Sequence, residues 1–280
     1  MNDLDDGQEA RPPKEGLKIV VCIKQVPKGE QLEIDPVKKT LRREGVESEM
    51  NPADKNAVEM ALGFKDEHGG EVIALSMGSR SFVRSLRMAI GMGADRAVLL
   101  SDRALAGSDT TPTSYALAGT ISLLGKIDLI LCGEETSDSS TGHVGPGIAG
   151  HLEIPQITYV TEAKIENDKV IAKRQVEFGF ETWETTFPAL LTVKFKCNRP
   201  REPTLSRKIR AKRGNVIQTW SAKDAGLDES KLGLNGSPTI VSKIDTVELP
   251  SRKGELFSGN PEKNVSDLIS RLVRDGFIRG

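Results

Sequence analysis

Short blocks of branched apolar residues alternate with amphipathic stretches along the first half of the chain. Residues 17–23, LKIVVCI, read as a strand covered on both faces. Residues 24–50 are polar, with two prolines, and read as a loop over an edge with at most short strands. A helix follows: Asn51 stands where a side chain can cap free backbone donors, and Pro52 fits the first helical position. Ala53, Ala57, Met60, Ala61 and Phe64 form its apolar stripe, and Gly69-Gly70 ends it. Residues 71–78 read as a strand and turn. Residues 81–93 read as a helix with Phe82, Leu86, Ala89 and Ile90 on one face. Residues 94–102 return as a strand, 110–126 as a helix with Pro112 near its first turn, and 127–133 as a further strand.

Strand and helix in repeated alternation predict an α/β fold, a doubly wound, mostly parallel sheet with helices on both faces. Ligands of such sheets sit beyond the carboxyl ends of the strands, which places residues 76–79 and 132–143 on the functional edge. After Pro155 the pattern changes to alternating runs, and Glu166-Asn167-Asp168 can turn a hairpin, so an antiparallel extension is expected. The organisation expected is a flexible tail over 1–16, the α/β domain over 17–214, and an extended C-terminal arm over 215–280. The arm contains one amphipathic helix, with Leu268, Ile269, Leu272 and Val273 on its face.

Composition narrows the function. With 39 basic against 40 acidic residues, the formal charge of −1 gives no general nucleic-acid surface. The basic run RKIRAKRG, 207–214, lacks aromatic interleaving or an RNA-binding motif. The three cysteines, Cys22, Cys132 and Cys197, form no CxxC pair and suggest a reducing compartment. The acidic start lacks the character of a signal peptide, and no apolar run is long enough to span a bilayer, so a cytoplasmic location is expected, with any membrane association through a partner.

The segment CGEETSDSSTGHVGPGIAG, 132–150, joins a strand to a helix. It offers hydroxyls at Ser137, Ser139, Ser140 and Thr141, and Gly142 and Gly145 permit close backbone approach. Backbone N–H groups opening a helix can receive an anion, which favours a phosphate or pyrophosphate cradle; hydroxyl capping with glycine turns is the plainer alternative. GxxxxGK[ST] and an early GxGxxG are both absent, and GMGADR follows a helix rather than opening one. His143 has no convergent ligands for a metal. Ser139, His143 and Asp138 compose a triad only on paper, because neighbours in sequence cannot supply its three directions and no GxSxG elbow exists. The residues thus point to an adenine-nucleotide-type binding domain without side-chain catalysis.

Several segments together resemble the beta subunit of electron-transfer flavoproteins over roughly residues 17–250. They are KIVVCIKQVP, MNPADKNAVEMAL, GADRAVLLSD, DLILCG, VGPGIAGHLEIPQITY, FETWETTFPALLTV and NRPREPTLSRKIRAK, in the family's order. The resemblance implies a heterodimer with an alpha subunit that carries FAD, while the beta subunit holds structural AMP or, in the electron-bifurcating branch, a second FAD. SDTTPTSYALA, 108–118, and VGPGIAGHL resemble the bifurcating branch, although DSSTGH stands where that branch has Asp-Gly-Asp-Thr-Ala-Gln. The nucleotide contacts so implied are Cys22, Asn51, Ser76, Asp109, Thr110, Thr113, Asp138, Ser139, Ser140, Thr141, Gly142, His143 and Val144. Asp138 would orient the loop rather than touch phosphate, because like charges repel. Leu205 matches the family's recognition-loop leucine, with Arg201, Arg207 and Lys208 around it as steering charges or as solvated residues of the loop. The activity implied is hydride acceptance from NADH, with one electron passed to the alpha-subunit FAD and one to ferredoxin or flavodoxin. An iron–sulfur quinone oxidoreductase or an acyl-CoA dehydrogenase is a further partner so implied. The alternative is a beta subunit that holds AMP and docks dehydrogenases without bifurcation. A stand-alone nucleotide sensor would leave the second half of the chain unused.

Overall fold

The computed structural model describes residues 16–28, 34–35, 40–41, 47–240 and 254–279. The tail expected at 1–16 lies, apart from Gly16, outside them. The chain divides into two compact units, Met1–Ser242 and Lys243–Gly280.

In chain order the first unit contains β1 (Leu17–Cys22), β2 (Gln25–Pro27), β3 (Ile34–Asp35), β4 (Thr40–Leu41), β5 (Ser48–Met50), α1 (Pro52–His68) and β6 (Gly70–Met77). Then come α2 (Val83–Met92), β7 (Arg96–Leu100), α3 (Thr110–Leu123), β8 (Leu129–Gly133) and α4 (Val144–Leu152). The remainder is β9 (Gln156–Glu166), β10 (Lys169–Val176), β11 (Gly179–Thr186), β12 (Ala189–Val193), α5 (Leu205–Arg213), β13 (Ile217–Trp220) and α6 (Gly233–Gly236). The second unit carries α7 (Pro261–Arg274).

One nine-stranded sheet organises the first unit, in the order β11-β10-β9-β12-β8-β1-β6-β7-β13. From β9 to β13 the neighbours run parallel; β9, β10 and β11 form the antiparallel extension. The sheet continues past residue 214, the end expected for the domain, because β13 pairs in parallel with β7. Helices cover both faces. Ala57, Val58, Leu62, Leu86 and Ile90 of α1 and α2 pack with Ile19, Val21, Val72 and Ala74. On the other face Leu117, Ile121 and Ile148 of α3 and α4 pack with Val20, Ile73, Leu75 and Ile130. Each such buried Val, Leu or Ile side chain contributes about 1.5–3 kcal/mol of transfer free energy, so the two apolar layers fix which strand edge is free for a site.

The winding reverses at β1. β6 and β7 were added on one side of it and β8 and β12 on the other, so β1 and β8 flank the crevice where connections leave in opposite directions. Close packing sets the entry of α4 there. A Cβ on Gly145 would stand 2.6 Å from Thr192 Cγ2, and one on Gly147 would stand 2.3 Å from Ser114 Oγ. The close approach that Gly145 allows is thus to β12, not to open space.

The hairpin expected at residues 166–168 is present. Asn167 and Asp168, at φ 49° and 59°, both lie in the left-handed region, as a two-residue turn matching strand twist requires. Replacing Asp168 by glycine removes a Cβ from that conformation. Asp168→Gly is expected to raise unfolding stability by a few tenths to about 1 kcal/mol, read as a higher urea midpoint; an unchanged or lower midpoint would contradict this account of the turn.

Candidate functional site

β1 and β8 pair up to Cys22 and Cys132 and then separate. The first chain passes through Lys24 towards Asn51 and α1; the second enters the loop 134–143. Between the separating ends lies the carboxyl group of Asp54, from the first turn of α1 and 4% exposed. Its Oδ2 accepts the Lys24 N–H at 2.7 Å, and its Oδ1 accepts the Gly133 N–H at 3.2 Å. Asn51 Nδ2 donates to the same Oδ1 at 2.9 Å and to the Glu135 carbonyl at 2.9 Å. Asn51 Oδ1 accepts the Ser137 N–H at 3.1 Å. Burial pushes the Asp54 carboxyl up to about 7, against the downward pull of Asn51, the Lys24 and Gly133 N–H groups and the Lys24 charge.

The expectation that the Asn51 side chain caps α1 is corrected: it makes no cap hydrogen bond to the helix. It reaches across to the loop instead, while its backbone carbonyl accepts the N–H groups of Asp54 and Lys55. Pro52 at the first helical position removes one donor that a cap would otherwise satisfy.

The loop is shaped by short internal contacts. The Thr136 carbonyl accepts the N–H groups of Ser139 and Ser140, and the Ser140 hydroxyl at 3.1 Å. The Thr136 and Ser139 hydroxyls lie 2.7 Å apart. Ser140 (φ 45°) and Gly142 (φ 65°) both take left-handed backbone. Such turns form concavities that suit an anion, and they lead directly into the positive end of α4. Asp138, 6% exposed by side chain, is salt-bridged to Lys24 Nζ at 2.7 Å. Its charge is therefore balanced within the protein, consistent with orienting the loop. His143 is exposed at the start of α4 and makes no side-chain cap.

A second helix start stands beside the first. Ser114 Oγ donates to the Thr110 carbonyl at 2.7 Å and approaches the Val144 carbonyl at 3.3 Å, which holds the opening turns of α3 and α4 together. Asp109 caps α3 by accepting the Thr111 N–H at 2.9 Å. Its other oxygen accepts the Thr239 N–H and hydroxyl at 3.1 and 2.8 Å. Burial is the largest single influence on Asp109 and opposes its ionisation, but the hydrogen bonds from Thr239 and Thr111 together outweigh it and hold the carboxyl below its ordinary range. The Thr113 hydroxyl donates to the Asp109 carbonyl at 2.6 Å. Asp109 and Thr113 thus organise the helix start and the segment near Thr239.

The structure brings Cys22, Asn51, Asp138, Ser139, Ser140, Thr141, Gly142, His143 and Val144 to one end of the sheet, with Thr110 alongside through Ser114. Ser76 is fully buried near the end of β6, and its Oγ is the buried side-chain polar atom that lacks a partner among the described residues. Cys22 and Cys132 are buried; the hydrogen bond that the Cys132 thiol makes to Cys22, together with burial, pushes that thiol well up, so it is no nucleophile at neutral pH. Sequence reasoning passed over Asp54 and Lys24. An acid three residues after Asn51 reads as an ordinary first-turn residue, and only the fold shows that it faces two strand ends.

The residues expected from the sequence to dock a partner divide differently. Leu205 opens α5 at 75% exposure, and Ile209, one turn on, is 44% exposed. Thr204 caps that helix through the Arg207 N–H. Arg201 binds Glu59 and Asp66, each at 2.9 Å, and Arg207 donates to the Met92 carbonyl at 2.8 Å. These two arginines brace the segment, while Lys208 is exposed. Among the described residues no group of His, Cys, Asp and Glu is arranged to hold a metal ion, and no helix is long and apolar enough to cross a membrane.

The family model for the electron transfer flavoprotein domain matches residues 38–225. The electron transfer flavoprotein subunit beta of Thermoanaerobacterium thermosaccharolyticum is 44% identical over 91% of this chain and 98% of its own length. Protein FixA of Azorhizobium caulinodans is 41% identical over 92% of this chain and 94% of its own. The caffeyl-CoA reductase–Etf complex subunit CarD of Acetobacterium woodii is 42% identical over 94% of this chain and all of its own. Matched almost from end to end, and with its hydroxyl-rich loop at the strand reversal, this chain belongs to the electron transfer flavoprotein family, among its beta subunits.

Proposed function

We propose that this chain binds FAD at the β1–β8 crevice and serves as the hydride-receiving subunit of an electron-bifurcating heterodimer. When bound, FAD supplies the hydride and single-electron chemistry. The observation that carries the nucleotide reading is the loop 136–143, which turns through left-handed Ser140 and Gly142 into the start of α4 beside the start of α3. Two positive helix ends meet here and Asp138 is balanced by Lys24, so the N–H groups of residues 141–144 would act on a pyrophosphate. Residues Ser139, Thr141, Gly142, His143 and Val144 would hold the phosphates. Thr110 would face the same charge from α3.

The Tyr159 hydroxyl lies 3.7 Å from where a Cβ on Gly142 would stand, and Tyr159 also lines a surface cavity of about 400 Å³ with Arg174, Gln175 and Lys194. A nucleotide longer than AMP would extend from the loop past Tyr159 along this open depression, which is the reason for proposing FAD. The chain's own residues bind, orient and balance charge; none is required to move a proton in a direct hydride transfer. Electrons would pass to the FAD of an alpha subunit and to ferredoxin or flavodoxin. The name of the CarD relative places it in a complex with a caffeyl-CoA reductase, which supports an acyl-CoA-type dehydrogenase as a partner here. Quinone reduction through an iron–sulfur oxidoreductase is the other high-potential route.

Two surfaces suit partners. Leu205 and Ile209 offer apolar contacts on the basic helix α5. In the second unit α7 leaves Val265, Leu268, Ile269 and Val273 exposed on an otherwise charged helix, which suits the alpha subunit.

Nucleotide released from the purified heterodimer is expected to be two FAD per complex with little AMP. One FAD and one AMP would replace the bifurcating reading with that of a structural, docking subunit. Leu205→Ala is expected to raise the KM for the partner dehydrogenase about 10-fold or more, with nucleotide content unchanged. Unchanged partner kinetics would remove Leu205 from the docking surface.

A further inference from the structure

Parallel strands that separate at a reversal point leave backbone donors without the next rung of the ladder, and a buried unpaired donor is costly. At the β1–β8 reversal the Lys24 and Gly133 N–H groups are those donors. Asp54 accepts both, one on each carboxylate oxygen. The carboxyl group thereby stands in for the missing rung and fixes how far the strand ends open. Its helix is held in turn: the carbonyl of Asn51, one turn's start earlier, accepts the Asp54 N–H, and the Asn51 N–H donates to the Lys24 carbonyl. Asn51, oriented by the third hydrogen bond to Asp54, then grips the loop at Glu135 and Ser137. Lys24 closes the circuit through Asp138.

No part of this network lies in the turn 139–143 itself. It encloses the entry of that turn from the strand side, through backbone groups on both separating chains. A Cβ on Gly133 would stand 2.3 Å from Asp54 Oδ1, so the approach of the carboxylate depends on glycine at the strand end.

We propose that Asp54 is the positioning residue of the nucleotide site: its carboxylate joins the ends of β1 and β8 and, through Asn51, holds the phosphate loop in its receiving shape before any ligand arrives. This inference rests on the reading of the loop as a nucleotide site, but it concerns the loop's own geometry, and the two can fail separately.

The test uses the heterodimer stripped of nucleotide, with FAD and AMP as probes. Asp54→Asn keeps an acceptor for Lys24 but sets an NH2 group against the donors of Gly133 and Asn51; Asp54→Ala removes every contact. The dissociation constant for either nucleotide is expected to rise about 10-fold in Asp54→Asn and further in Asp54→Ala. Amide exchange should quicken at Lys24, Gly133 and Ser137 while the β9–β10 hairpin is unaffected. Both variants binding as the parent does, in folded complexes, would overturn the proposal. So would exchange that quickens throughout the sheet, which marks a purely structural residue. If neither variant assembles, the parent complex decides. Its Lys24 and Gly133 amides are expected to exchange as slowly without nucleotide as with it, and rapid exchange that nucleotide alone suppresses would overturn the proposal. A parent complex that binds neither probe contradicts the nucleotide reading, and the exchange of the Lys24, Gly133 and Ser137 amides in the variants against the parent then judges Asp54.

Discussion

The site depends on two parallel strands being allowed to part. β1 and β8 are hydrogen-bonded neighbours up to Cys22 and Cys132, and one residue later their chains leave for opposite faces of the sheet. The parting makes a crevice and strands backbone donors at its rim. The carboxylate of Asp54, reaching in from α1, meets those donors on both sides. Burial raises its proton affinity, yet three donors converge on it, so the group is kept by what it joins rather than by its own ease of burial. The entry of loop 134–143 and the side chain of Asn51 are tied to this junction.

Electrostatic balance follows a consistent plan around the crevice. Carboxylates near the loop are engaged by the protein: Asp138 with Lys24, Glu134 with Lys194 at 3.0 Å, and Asp109 with Thr111 and Thr239. Hydroxyls, glycine and helix-start backbone face outward beside the exposed His143 and Glu135, and the helix-start N–H groups suit anionic oxygen. The same economy is seen at α5. Arg201 and Arg207 are tied to α1 and α2, which fixes the segment so that Leu205 stands exposed on a rigid mount. A protein that passes electrons between partners needs a held cofactor and a defined contact surface more than a reactive side chain.

Much of this was legible in the chain. The alternation of apolar runs with amphipathic stretches gave the doubly wound sheet, the turn residues Asn167-Asp168 gave the hairpin, and the resemblance gave the family. β13 escaped because a four-residue strand of half-exposed and exposed residues, IQTW, has no clear period. Asn51 was misread because a residue before a helical proline looks like a cap; its true partners, Glu135 and Ser137, lie more than eighty residues away. Arg201 and Arg207 looked like free charges because their partners on α1 and α2 are likewise distant in sequence. Local pattern shows where a helix starts, but not what its first-turn side chains face across the sheet.

The most direct measurement is a crystal structure of the heterodimer with its native nucleotide, read for the distances from the phosphate oxygens to the backbone nitrogens of residues 141–144. The account predicts phosphate oxygens within hydrogen-bonding range, about 3 Å, of several of those nitrogens, with Asp54 still joining Lys24 to Gly133. Phosphates seated elsewhere, for instance along the basic helix α5, would contradict it.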